Sequence, residues 1–367
     1  MIIMAIDDSN AYVSRQHGAE FFNGAISRYH SVFPFITRLI THLCAPGFCF
    51  LMGAAVVWFA ASRRGRGWTE LQILQKLAAR GFALFLVGQF LENPVVLAQS
   101  FLKGPAVRLA TMSMPPPMDG LPSYWGFIKM SNLGVVMMAC SVLLRFGVRV
   151  WAVAGVLCVA ATNSLLPADG AVGPLWKTIL LELGLSGHMV GVYPVIPWLG
   201  VAACGMCFGY WWKQRAGSSP ALVSGLGLAM VGFAMLVRFA GGWGNLQLPR
   251  DNSWIEFLNN VKYPPSLVFW TLSVGVDLLL LAALMCLPGL YRSAKSPLMV
   301  FGQTPLFFYI VHLYLFAVTG FLFFREAAPL WVTYPVWLGG LILLYPVCAW
   351  YRQFKLAKAP ESLWRMF

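Results

Sequence analysis

The chain has 367 residues, of which 59% are hydrophobic and 11% charged, with a mean hydropathy of +0.70 and a net charge of +13. Soluble chains carry about 25% charged residues, so this balance excludes a water-soluble domain and predicts an integral membrane protein. The excess of 26 Lys and Arg over 13 Asp and Glu fits topogenic charge beside anionic lipid headgroups, and no nucleic-acid partner is expected.

A helix that crosses a bilayer needs about 20 apolar residues. In chain order the apolar runs are Met1–Ile6, then Leu39–Ala61, Leu71–Leu91, Tyr124–Phe146, Val150–Leu166, Val190–Trp212, Ala221–Ala240, Ser266–Leu290, Pro297–Phe324 and Leu330–Tyr351. The expected fold is all-α, a polytopic transmembrane helical bundle of nine full spans with the remnant of a tenth at Met1–Ile6. Residues 1–367 form a single transmembrane domain. Met1–Ile6 has no basic leading region and no cleavage site, so it does not read as a signal peptide. It reads as the outer end of a helix, and residue 1 is not expected to be the native start.

Basic residues collect on alternate connections: Arg63, Arg64, Arg66, Lys76 and Arg80; Arg145 and Arg149; Lys213 and Arg215; Arg292 and Lys295; Arg352, Lys355, Lys358 and Arg365. Only Glu70 and Glu361 oppose them on that side. The positive-inside rule makes this face and the C-terminus cytoplasmic. Residues 7–35, 92–123 and 241–265 are then large outer connections. The second carries Met114-Pro-Pro-Pro-Met118, which holds an extended path. The third carries Trp243, Trp254 and Tyr263 as interface anchors or a sugar platform, and 167–189 includes a short interfacial helix. The eight cysteines all fall within the runs, where they read as small packing residues rather than disulfides.

Ionisable groups inside spans are costly and mark function by default. Arg38 and His42 are four apart and share a helix face. Pro46 removes the helical partner of the His42 carbonyl, so a kink or opening is expected there, turning backbone and imidazole toward an interior cavity. Asp277 and His312 lie mid-span, and Asp277 requires protonation, a partner or water; Arg38, His42 and His312 are the candidates. In the outer loops stand Asp7, Asp8, His17 and His30, with His188 at an outer helix start. A neutral imidazole there takes a proton from a nucleophile or is itself acylated. No phosphate-binding loop, dinucleotide fingerprint, GxSxG or HExxH occurs, and no metal site is expected.

Several stretches together resemble one family. ITHLCAPGFCFLMG (40–53), YPVIPWLGVAACGMCFGYWW (193–212), FLNNVKYPPSLVFW (257–270) and FGQTPLFFYIVHLYLFA (301–317) are similar to bacterial multi-pass proteins grouped with the catalytic region of heparan-α-glucosaminide N-acetyltransferase. MIIMAIDDSNAY resembles the end of that family's first helix, with Asp8 where the family carries histidine and Asn10 where it carries arginine. The resemblance implies acetyl transfer across the membrane, from cytoplasmic acetyl-CoA as a co-substrate to an amino sugar or other envelope saccharide outside. No tightly bound cofactor is implied. It makes His42, His17, His30, Asp8, Asp7 and His312 catalytic candidates, and Arg38, Asp277, His188, Lys262 and Tyr263 substrate-binding candidates. The residues that would hold CoA are not indicated, and a homodimer is left open. Two other readings stand beside it: a structural or accessory membrane subunit with polar residues as interhelical glue, and a proton-coupled transporter using Asp277 and the histidines.

Overall fold

The computed structural model describes residues 1–16, 27–96, 125–166, 174–181, 184–186, 189–215, 219–359, 362 and 364. Its helices are α1 (Met4–Tyr12), α2 (Val32–His42), α3 (Cys44–Arg64), α4 (Glu70–Val87), α5 (Lys129–Leu143), α6 (Val148–Leu165), α7 (Leu175–Leu180), α8 (Val195–Gln214), α9 (Pro220–Ala240), α10 (Trp254–Leu258), α11 (Leu267–Cys286), α12 (Gly289–Arg292), α13 (Pro297–Gln303), α14 (Pro305–Phe323) and α15 (Thr333–Leu356). Three short strands, β1 (Trp125–Phe127), β2 (Gly184–Ser186) and β3 (Met189–Gly191), form a small sheet in the order β1-β3-β2. The β1–β3 pair is parallel and the β2–β3 pair antiparallel. The protein is an all-α bundle built for a membrane: among the described residues, eight helical stretches are long and apolar enough to cross one.

Nine full spans were expected, and the one that falls short has a local cause. The run Tyr124–Phe146 yields only the 15-residue α5, about 22 Å long at 1.5 Å per residue, because β1 takes its first residues. The run Pro297–Phe324 breaks at Thr304, where the backbone leaves helical geometry (φ −126°, ψ 43°) ahead of Pro305, as the residue before a proline is prone to do. Residues 7–35 are not simply an outer loop either. The helix begun at Met4 runs on to Tyr12, and Val32–His42 is helical before the apolar run begins. At Pro46 the chain is interrupted rather than opened: helices α2 and α3 meet at Leu43, whose own backbone remains helical (φ −61°, ψ −28°).

Two apolar cores result. One joins α3, α4, α5, α8 and α11 around Trp198, Met206, Phe269 and Leu278. The other joins α1, α13, α14 and α15 around Tyr12, Phe308, Leu313 and Phe316. In the first, α3 and α8 touch backbone to backbone. A Cβ on Gly205 would lie 1.9 Å from the Phe50 carbonyl oxygen, and one on Gly53 would lie 1.9 Å from that of Ala202. Small residues at such crossings supply the close packing that lipid, being as apolar as leucine, cannot supply through the hydrophobic effect.

The connection between α9 and α11 is organised by Arg238, which is 2% exposed. Its guanidinium donates to the carbonyls of Phe257 (2.7 Å), Gln247 (2.7 Å), Glu256 (2.9 Å) and Asn259 (3.1 Å) and to Asn245 Oδ1 (3.0 Å). All five of its N–H donors are thereby used. Arg250 pairs with the Glu256 carboxylate through Nε (2.7 Å) and Nη2, and also donates to the Ser27 carbonyl (3.2 Å). Burial raises the Glu256 pKa, but hydrogen bonds from Arg250 and Asn259 outweigh it and hold the carboxyl below its ordinary 4.5.

Two outcomes follow. Gly205→Leu forces α3 and α8 apart and lowers stability by at least the ~1–3 kcal/mol typical of overpacking, whereas Gly147→Ala, with nothing within 4 Å, leaves the melting temperature unchanged; thermal unfolding in detergent checks both. A carboxyl depressed on folding contributes stability that is complete above its unfolded pKa and is lost as pH falls through its folded pKa. Amide-exchange protection of residues 245–259 is therefore expected to hold at pH 6 and to fall below about pH 4.5 in step with Glu256 protonation. Arg250→Ala should move that loss to higher pH.

Candidate functional site

Consecutive residues on an α-helix point about 100° apart, so Asp7 and Asp8 of α1 address different neighbours. Asp7 Oδ1 takes a 2.6 Å hydrogen bond from Arg38 Nη1, and the Thr41 hydroxyl lies 3.1 Å away. Arg38 is 4% exposed, so this is a buried pair between α1 and α2. Asp8 turns the other way: its Oδ1 accepts from Lys129 Nζ at 3.2 Å, and its Oδ2 lies 2.9 Å from His312 Nε2. That single carboxylate ties α1 to the start of α5 and the middle of α14.

The cluster extends through Lys129, which packs over the Tyr309 ring, to Glu92. The Tyr309 hydroxyl donates to Glu92 Oε1, and the Met130 amide donates to Oε2 at 2.8 Å. Met130 is in the first turn of α5, so Glu92 fills an otherwise unmet N–H of that helix and sits at its positive end. A π-helical turn at Gly88–Glu92 lies within a helical stretch that runs from Glu70 to Val96, and it carries Glu92; such insertions are often found at functional sites.

The geometry fixes where protons are. His312 is fully buried, and its Nδ1 lies 2.9 Å from the Phe308 carbonyl. A carbonyl only accepts, so Nδ1 carries a hydrogen. The 2.9 Å contact between Nε2 and Asp8 then needs a second proton, held by one partner or the other. Counting that shared proton, three acids (Asp7, Asp8, Glu92) face three cationic groups (Arg38, Lys129, and the Asp8–His312 pair's extra proton). Both ring nitrogens of His312 are engaged, so it positions Asp8 and does not serve as a free base.

His42 lies beside the cluster, one residue beyond Thr41. It is 4% exposed, meets Phe269 edge-on at 5.2 Å, and lines a cavity of about 240 Å³ with Leu39, Leu43, Asn260, Leu272 and Ser273. Nearby, the Tyr263 and Tyr193 hydroxyls are 3.1 Å apart, and the Lys262 ammonium stands 5.1 Å from the Tyr263 ring centre. Asp7 and Glu92 are both within electrostatic range of Tyr193.

Of the sequence candidates, Asp7, Asp8, Arg38 and His312 meet in one cluster, with His42, Lys262 and Tyr263 at its edge. Asp7 and Asp8 belong to a helix, not to an outer loop. Asp277 does not pair with Arg38, His42 or His312: it abuts Gly47, and its Oδ2 has no hydrogen-bond partner among the described residues. His30 is exposed. His17 and His188 lie outside the described residues. Glu92, Lys129 and Tyr309 were not singled out from the sequence. The signal for Lys129 was present, since it is a charge inside the run Tyr124–Phe146. Glu92 stood one residue past the run Leu71–Leu91, where it reads as a solvated end. Among the described residues, no group of three His, Cys, Asp or Glu side chains is placed to hold a metal ion.

No protein-family model matches the chain, and no curated protein matches it significantly.

Breaking a buried ion pair by removing one partner costs about 3–5 kcal/mol. Asp8→Asn and His312→Gln are each expected to destabilise the protein on that scale in a denaturant titration. The double variant should recover part of the loss, with a coupling of about 0.5–3 kcal/mol. Strictly additive losses would show that the two side chains do not share a proton.

Proposed function

We propose that the protein is a membrane-embedded acyltransferase that carries an acetyl group from acetyl-CoA at the basic, cytoplasmic face to an envelope saccharide at the face with the long connections. One observation carries this reading. The stretches that resemble the N-acetyltransferase family are far apart in the chain, yet they meet in pairs: Asp8 with His312, Tyr193 with Tyr263, and His42 with Phe269 beside a cavity.

In this reading His42 is the general base. The acceptor amine or hydroxyl enters the cavity, gives its proton to the imidazole, and attacks the thioester carbonyl. A C–N or C–O bond forms as the C–S bond breaks, and the CoA thiolate recovers the proton from His42. Asn260 and Ser273 on the cavity wall orient the acceptor. Arg38–Asp7 and Asp8–His312 hold the helices that frame it. The cytoplasmic C-terminus, the bacterial cytoplasmic membrane and the acetyl-CoA donor belong to this same reading. A proton-coupled transporter would draw on Asp277, but that carboxyl stands against Gly47, apart from the ion cluster.

The test is thiol release from acetyl-CoA by the protein in proteoliposomes, with glucosamine-bearing acceptors present or absent. Wild type is expected to release CoA in an acceptor-dependent way. His42→Ala should lower the rate by the ~10²–10⁴-fold that general-base catalysis contributes while leaving the melting temperature in place. Undiminished release by His42→Ala would remove His42 from the chemistry.

A further inference from the structure

The ion cluster closes on itself, but one buried cation nearby does not. Lys262 is 3% exposed. Its ammonium carries three N–H donors, and the partner it has is the face of Tyr263, 5.1 Å from the ring centre. Among the described residues no carboxylate and no other hydrogen-bond acceptor meets it. By contrast, Arg38, Lys129, Arg238 and Arg250 each have a carboxylate or several carbonyls. The Nζ atom is not sealed from solvent, so the ammonium is open to an incoming acceptor oxygen.

The segment around Lys262 is held firmly. Val261 is fully buried, and its carbonyl accepts from the Ser266 amide at 3.1 Å. Ser266 caps α11 by accepting from the Phe269 amide at 3.1 Å, and Tyr263 is fixed by its hydroxyl contact with Tyr193. The lysine is therefore presented on a rigid support. Asn260, two residues earlier, lines the cavity that His42 lines. Cys44, two residues after His42, is among the electrostatic neighbours of Lys262.

We propose that Lys262 is an anion subsite that takes a phosphate or carboxylate oxygen of the acceptor, so that the substrate class is an acidic saccharide or other anionic acceptor rather than a neutral one. The assignment rests on the acyltransferase reading for the word acceptor, while the anion itself rests on the lysine alone. The subsite stands just ahead of α11, at the end of the bundle with the long connections. In the proposed topology the phosphates of CoA enter from the opposite end, so the anion comes from the acceptor.

The experiment uses the full chain in lipid nanodiscs and measures binding of glucosamine 6-phosphate, glucosamine, CoA and dephospho-CoA by calorimetry. The wild type is expected to bind glucosamine 6-phosphate at least tenfold tighter than glucosamine. Lys262→Met should abolish that preference, and Lys262→Arg should keep it, with unchanged melting temperatures as the control for folding. An equal preference in wild type and Lys262→Met overturns the proposal, as does the absence of any preference in wild type. If Lys262→Met instead weakens CoA binding and spares the sugar phosphate, the anion belongs to the donor and the acceptor assignment falls. Thiol release is read in parallel. Lys262-dependent binding without CoA release leaves the anion subsite standing and removes the acyltransferase reading.

Discussion

The structure turns on two adjacent carboxylates of α1. The nine-residue helix α1 packs into the core of α13, α14 and α15, and from there Asp7 faces Arg38 of α2 while Asp8 faces His312 of α14 and Lys129 of α5. A seam made only of hydrocarbon would let the two halves slide, because packed apolar surfaces in lipid lack a strong preference for one register. An ion pair with a required geometry supplies that preference, since displacement by a few ångströms leaves a buried charge unmet. The acids on α1 thus latch that core to α2 and α5.

The latch works only because it is complete. Lys129 divides its attention between Asp8 and the Tyr309 ring, and Tyr309 in turn donates to Glu92. Glu92 also satisfies the first turn of α5. Each group thus answers the cost of burying another. The π-helical turn at Gly88–Glu92 belongs to the same design. It interrupts the α-helical pattern of the stretch Glu70–Val96 at the residue whose carboxylate meets the first turn of α5. The shortness of α5 has the same origin: its N-terminus must lie at the depth of the cluster for Glu92 and Lys129 to reach it.

The bundle was legible in the sequence because twenty-residue apolar runs leave few alternatives, and His312 was legible because an imidazole within such a run is conspicuous. The partners were hidden for physical reasons. Asp7 and Asp8 follow a six-residue apolar stub and look like the first residues in water, yet the helix carries them inward to Tyr12. The polarity of a residue says that it must be paired or solvated, and only tertiary structure says which. Asp277 shows the converse. It was the most conspicuous buried acid in the sequence, and it stands apart from the cluster. Thr304 and Pro305 broke a run whose composition was continuous, because the break is made by backbone geometry and not by hydropathy.

A cluster whose groups are each committed to another is a poor place for proton chemistry. His312 illustrates this: both of its nitrogens are occupied, and freeing either one would unpair Asp8 or leave a carbonyl without its donor. The reactive groups are therefore to be sought at the margin of the cluster, where the same helices hold side chains steady against space. His42 satisfies that condition. It is carried by the helix that Arg38 anchors, yet it borders a cavity instead of a carboxylate-filled interior. Lys262 stands on a segment fixed by Ser266 and Tyr263. In the proposed reading the conspicuous charges hold the shape of the protein, and the chemistry falls to these two residues outside the ion pairs.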